Sequence, residues 1–269
     1  MDKVRTTPSL TGNRIRQYLS EGKRFDGRKP EEFRELIIEQ GVSKNAEGSV
    51  RVRLGKTEVL VGVKMGVSEP YADSPDKGNL MVSADLLPLS SPRFEAGPPK
   101  FPVIELGRVI DRGIRESKFI DFSGLCIESG KKVWTLFVDI YSINDDGNLL
   151  DAAGIGAVAA LKIAKIPEYD AETGQVNFGK FTDKNVPLTE VLPITITAHK
   201  LGDNFLVDPT REEEDLSETR VTIGSCDGSI SSMQKGEQVS LSVEEMHRIF
   251  DMVEKVEKDI ALKIKKLLK

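Results

Sequence analysis

The chain has little of what metal, redox and secreted chemistry needs. Among 269 residues there are two cysteines, Cys126 and Cys226, a hundred positions apart, so neither a disulfide framework nor a thiolate zinc site is expected. The two histidines, His199 and His247, have no partner at metal-ligand spacing, and together with the cysteines they read as structural residues. Apolar runs extend only a few residues, too short for a membrane-spanning helix. The opening MDKVRTTPSL lacks a signal-type apolar stretch, which points to a cytoplasmic protein. An excess of positive charge is missing too. The net charge is −5, so any contact with nucleic acid must use a local basic face.

What is present is ordinary globular material, 39% apolar and 30% charged. At this mass the folded surface should be about 11,600 Å², with roughly three quarters of the extended chain's surface buried. A short amphipathic helix over 12–22 carries Ile15, Tyr18 and Leu19. A strand is predicted over 33–41. Alternation through Val50–Leu54 and again at Val59, Val61 and Val63, around Gly55-Lys56-Thr57, predicts a hairpin. A loop over 68–79, a strand over Leu80–Leu87 and a loop with five prolines over 88–102 follow. Val103, Leu106, Ile110 and Ile114 form one stripe of a helix over 103–117. Trp134–Ile143 reads as a strand and the Ala-rich Asp151–Lys165 as a helix, buried or half-buried. Residues 167–190 are polar and read as a linker. Strand–turn–strand then recurs at 193–207, a weak internal repeat of the first hairpin, followed by strands at 221–224 and 230–234. Ser242 with Glu245 three positions on is a capping box opening the last helix. Mixed helices and antiparallel hairpins make the class α+β. The organisation expected is an N-terminal helix and arm over 1–30, a first domain over 31–166, the linker over 167–190 and a second domain over 191–269.

Three clusters could carry chemistry. Arg108, Arg112 and Arg115 share one face of the helix over 103–117, either tracking phosphates through their planar forks or forming a solvated, locally paired face. The run Asp208-Pro209-Thr210-Arg211-Glu212-Glu213-Glu214-Asp215 is either a carboxylate set for Mg²⁺ or acid catalysis, or a solvated loop. Asp146-Gly147-Asn148-Leu149-Leu150-Asp151 precedes a helix N-terminus, where anions bind well. Its leucines offer a phosphate nothing, so a turn with an N-cap is the simpler reading.

These motifs converge. Arg24-Phe25-Asp26-Gly27-Arg28, Gly48–Thr57 and Asp146-Gly147 resemble the opening, first hairpin and pre-helix turn of RNase PH-type proteins. Gly97-Pro98-Pro99, Glu105–Arg112, Asp146–Ala153 and Val207–Thr210 resemble the larger, non-catalytic ring subunits of archaeal exosomes. The resemblance spans roughly 20–265 and implies the ribosomal-protein-like RNase PH-type fold, with mixed sheets packed against helices and an internal pseudo-repeat. It further implies a ring of three heterodimers with a catalytic RNase PH-like subunit, RNA-binding cap subunits, and single-stranded RNA degraded 3′-to-5′ by phosphorolysis or tailed in reverse. No cofactor of this chain's own is implied; inorganic phosphate and Mg²⁺ would belong to the partner's site. No membrane partner is implied.

Active members continue the Asp-Gly turn with a small residue, then Ser or Thr and Arg, where this chain has Asn148, Leu149 and Leu150. They carry two aspartates six apart, where this chain has Asp208 and Glu214. A non-catalytic subunit follows. The resemblance gives RNA contact to Arg108 and Arg112, and more weakly to Arg53. The competing readings are an active phosphorolytic exoribonuclease and a stand-alone RNA-binding module.

Overall fold

The structure, a computed structural model, describes residues 7–268. The reading of the first residues as free of a signal stretch falls partly outside them, on 1–6. Among the described residues, no helix is long and apolar enough to cross a membrane.

The first sheet runs β1 (Leu36–Gln40), β2 (Gly48–Leu54), β3 (Thr57–Ser68), β6 (Lys132–Asn144), β4 (Asn79–Leu86), with short β5 (Cys126–Glu128) on β6. Only the β4–β6 pairing is parallel. Between β4 and β5 the chain forms α2 (Phe101–Glu116), with a proline in its first turn. This is where a missing N–H costs nothing. β3 alternates buried and half-buried residues along its length, so Val59, Val61, Val63 and Met65 all face the core.

What they face is α3 (Leu149–Ile163), buried continuously from Asp151 to Leu161. A helix apolar on every side needs cover on every side. Here the cover is the first sheet on one flank and, on the other, a second sheet ordered β10 (Asn204–Val207), β9 (Ile194–Leu201), β11 (Thr219–Cys226), β12 (Ser229–Gly236). The alanines and Gly156 allow this closeness: a Cβ on Gly156 would stand 2.6 Å from Val61 Cγ2. α5 (Val243–Leu267), opened by the Ser242–Glu245 capping box, closes the second sheet with Ile249, Val253, Val256, Ile260 and Ile264. One hydrophobic cluster therefore runs through both halves of the chain.

Two stretches differ from the sequence expectation. Residues 167–190 are not simply a linker. β7 (Lys165–Asp170) and β8 (Gln175–Asn185) pair as an antiparallel hairpin, turned where Thr173 Oγ1 donates to Asp170 at 2.7 Å. Tyr169 sets it edge-on against Trp134 of β6, centroids 5.8 Å apart. Both faces of β8 are largely exposed, and its apolar residues Val176, Phe178 and Phe181 do not keep to one face, so the period-2 signal is lost. The N-terminal arm, in turn, belongs physically to the second half. α1 (Ser9–Ser20) packs Ile15 and Leu19 on Leu201, Leu206 and Leu216, the last in α4 (Arg211–Leu216).

Candidate functional site

Two neighbourhoods hold the residues singled out above. The first is the outer face of α2. Its apolar stripe (Leu106, Ile110, Ile114) is buried and its other face lines a groove of about 470 Å³ between β4 and β12. The groove's wall includes Phe101, Ile104, Arg108, Arg112, Met233 and Gln234, and Phe101 is 64% exposed. Two acids of the same helix are engaged elsewhere. Glu105 takes Arg220 Nη2 at 2.6 Å, and Asp111 takes Arg115 Nη2 at 2.7 Å. Arg108 and Arg112 are exposed and make no ion pair among the described residues.

Arg115 does not join them. Its Nη2 also donates to the Leu80 carbonyl at 3.0 Å, and its guanidinium lies 5.9 Å from the Phe122 ring centroid. For Arg115 the local-pair reading is right. Asp111, with burial acting in opposition, holds its pKa above the ordinary value. Arg53 stands apart as well. On β2 it pairs with Glu39 and Glu58, each at 3.2 Å, in a cross-strand ladder shared with Arg51. β3 and β6 lie between its strand and β4, on which α2 packs.

The second neighbourhood is the N-terminus of α3. The turn needs left-handed backbone at Gly147 (φ 87°) and Asn148 (φ 60°), and a Cβ on Gly147 would sit 2.6 Å from the Pro209 carbonyl. This turn is pressed against the acidic run, which is not a solvated loop. Thr210 and Glu213 form a capping box that starts α4, and Asp208, Glu213 and Asp215 are buried. Asp208 is 0% exposed and fully engaged. It accepts from Arg34 N (2.7 Å), Arg34 Nε (2.9 Å), Arg34 Nη2 (2.7 Å), Arg28 Nη1 (3.0 Å) and Asn148 Nδ2 (2.9 Å). Arg34 goes on to the carbonyls of Asp146 and Gly147 at 2.9 and 3.0 Å. Burial works against its charge, but Asp208 more than compensates and its pKa lies above the usual arginine value. Arg24, itself buried, forks onto Glu213 at 2.9 and 2.5 Å.

At the helix N-terminus proper, Asn148 N donates to Glu214 Oε2 at 2.8 Å. A carboxylate of the chain itself thus occupies a position suited to an anion. Leu149 and Leu150 are half-buried against the core and add no donor. Among the described residues no cluster of three or more His, Cys, Asp or Glu is arranged to hold a metal. The residues that sequence reasoning left without a role are Arg24, Arg28 and Arg34. The first two lay inside the quoted Arg24–Arg28 motif, which was the signal available.

Just below, Asp151 is fully buried and accepts from Thr197 N (3.1 Å) and Thr197 Oγ1 (2.7 Å) on β9. Burial pushes its carboxyl up to about 7, against those hydrogen bonds. A raised folded-state pKa means that the folded protein holds a proton the unfolded chain releases near its ordinary value of 3.8. The stability from this group is therefore complete below about pH 4 and is lost as pH rises to about 7, by about 1.4 kcal/mol per pH unit. Asp151→Asn is expected to remove that decline. Urea unfolding of both proteins between pH 5 and 7 checks it, and parallel pH dependences would contradict it.

Comparison with known proteins follows the same outline. The 3′ exoribonuclease family matches through its domain 1 over residues 32–167 and its domain 2 over 192–255. Among curated relatives, an "Exosome complex component Rrp42" of Methanocella arvoryzae is 46% identical over 231 residues, 86% of each chain. One of Thermococcus onnurineus is 45% identical over 256 residues, covering 94% of this chain and 93% of its own. Among solved structures, an Archaeoglobus fulgidus exosome with RNA bound to the active site superposes with a TM-score of 0.88 at 42% identity, covering 94% of this chain and 97% of the other. An archaeal exosome core gives 0.84 at 39% identity, covering 95% and 96%.

Proposed function

The chain belongs to the 3′ exoribonuclease family of RNase PH-type proteins, among the archaeal exosome components, and from that membership we propose that it is a non-catalytic, RNA-positioning ring subunit. Its work is to pair with a catalytic RNase PH-like subunit in a cytoplasmic trimer of heterodimers, beneath RNA-binding cap subunits. It completes the partner's site and presents single-stranded RNA for 3′-to-5′ phosphorolysis or the reverse tailing. It needs no cofactor; inorganic phosphate and Mg²⁺ act at the partner's site.

The observation that carries this reading is Glu214 on the Asn148 N–H, with Asp208 held by arginines beside it. With its own carboxylate on the Asn148 N–H, and Leu149 and Leu150 in place of side chains that could donate, this helix N-terminus is poorly equipped to hold a phosphate. On the α2 groove, by contrast, Arg108 and Arg112 remain free for a strand's phosphates. Arg53 would first have to leave Glu39 and Glu58 to contribute. The accessible surface, 13891 Å², exceeds the about 11,600 Å² usual for a monomer of this mass, which suits a chain that completes its burial against neighbours.

Co-expression with the catalytic subunit tests assembly. A hexamer of three heterodimers is expected by light scattering, each interface burying more than about 1,000 Å². A persistent 30 kDa species, near the chain's 29.7 kDa, in the presence of that subunit would contradict it.

A further inference from the structure

Away from the α2 groove, one corner combines unpaired cations with open aromatic rings. α1 carries Arg14 and Arg16 and no acidic residue. Both arginines are exposed, and neither makes an ion pair among the described residues. The Arg14 guanidinium lies 5.9 Å from the centroid of Tyr18, one helical turn on. Tyr18 meets Phe25 edge-to-face, centroids 4.9 Å apart at 88°, and Phe25 is 48% exposed.

The corner is held in place from behind. Ile15 and Leu19 anchor α1 in its own apolar cluster, and Thr7 N and Oγ1 reach Asp215 Oδ2 at 3.1 and 2.9 Å. Phe25 follows Arg24, whose fork onto buried Glu213 fixes the backbone and turns the next side chain outward. A surface ordered before binding loses little freedom when a ligand arrives.

We propose that the Arg14–Tyr18–Phe25 corner is a second contact for single-stranded RNA, with one base stacked on the open face of Phe25 and a neighbouring phosphate on Arg14. The charges favour a polyanion over a protein surface. The nearby acids already have cations: Asp26 holds Arg28 at 2.7 Å, Glu21 faces Lys23 at 3.7 Å and Glu213 holds Arg24. Arg14 and Arg16 are thus uncompensated in a chain whose net charge is −5. Rings beside a cationic track are how proteins hold single strands without reading sequence, since every base has a π-face.

The test uses the full chain with Arg108→Ala and Arg112→Ala, so that the α2 groove is silent, and Phe25→Trp as a reporter. Trp134 is buried and gives a steady background. Oligouridylate is expected to quench the new tryptophan to saturation. Adding Arg14→Ala should weaken that binding about five- to tenfold and lower the slope of log affinity against log salt by roughly 0.7. The corner is overturned if oligouridylate leaves the emission unchanged, or if Arg14→Ala changes neither affinity nor slope. Emission that responds only to an added ring or cap subunit also overturns it, making the corner a protein-docking surface. Because the reporter is read without Arg108 and Arg112, failure of the α2 contact and failure of this one are separable.

Discussion

Asp208→Asn is expected to destabilise the protein by about 3–5 kcal/mol, the usual cost of removing one partner from a buried ion pair. The reason is what remains. Arg34 and Arg28 both point charge at this carboxylate, and Arg34 is nearly buried. An asparagine can accept one or two of the five hydrogen bonds but supplies no charge. The loss spreads beyond one contact, because Asp208 ties three segments: residues 28–34 through Arg28 and Arg34, the α3 turn through Asn148, and the second half of the chain through its own backbone. A fall in melting temperature on the order of 10 °C follows. Arg34→Met should cost a similar amount alone, and combining it with Asp208→Asn should cost clearly less than the sum, since the Arg34 charge is then no longer stranded and Arg28 keeps Asp26. Additive losses in that cycle would show that the pair is not coupled.

Arg108→Ala is expected to act on RNA and not on folding. The side chain is exposed and unpaired, so stability should change by no more than about 0.5 kcal/mol and ring assembly should survive. The assembled ring should bind single-stranded RNA roughly tenfold more weakly, the equivalent of about 1.4 kcal/mol for a lost charge-assisted contact. The salt slope should drop by roughly 0.7. Arg112→Ala should do the same, and neither effect should depend on RNA sequence, because phosphate contacts position a strand without reading bases. Arg115→Ala supplies the contrast. It loses Asp111 and the Leu80 carbonyl, so it should loosen α2 on β4 while leaving the salt slope alone. Affinity measured at several salt concentrations separates the three. An unchanged slope for Arg108→Ala in an intact ring would return Arg108 to a plain solvated position.

How far these residues could be read in advance follows from where their partners lie. The β2–β3 hairpin, α2 and the capped start of α5 were legible because their signals are local: alternation, a stripe at helical spacing, Ser242 with Glu245. The acidic run was not, because the arginines that bury it come from 174 to 189 positions earlier in the chain. No spacing rule links such residues, and a dense carboxylate run in isolation resembles a wet loop. Arg53 was harder to place for a related reason, since the glutamates that pair it, Glu39 and Glu58, lie across strands, whereas Arg115 has Asp111 one helical turn away, where spacing alone suggests the pair. The β7–β8 hairpin was hidden by exposure on both faces. The leucines of Asn148-Leu149-Leu150 were legible as a loss of phosphate donors. That Glu214 stands at the helix N-terminus became visible only once α4 was folded against it.

The same plug explains why repair of one arm is insufficient. Leu149→Ser with Leu150→Arg would restore donors, yet Glu214 would still occupy the helix N-terminus and Asp208 would still be held by Arg34. Full activity should not return.

The most direct test of the central claim compares the purified chain with the reconstituted ring in phosphate buffer on single-stranded RNA, following release of nucleoside diphosphates. The chain alone should release none, and the ring formed with the catalytic subunit should release them at a rate that Arg108→Ala lowers. Release by the chain alone, proportional to its concentration and free of contaminating nuclease, would contradict the account.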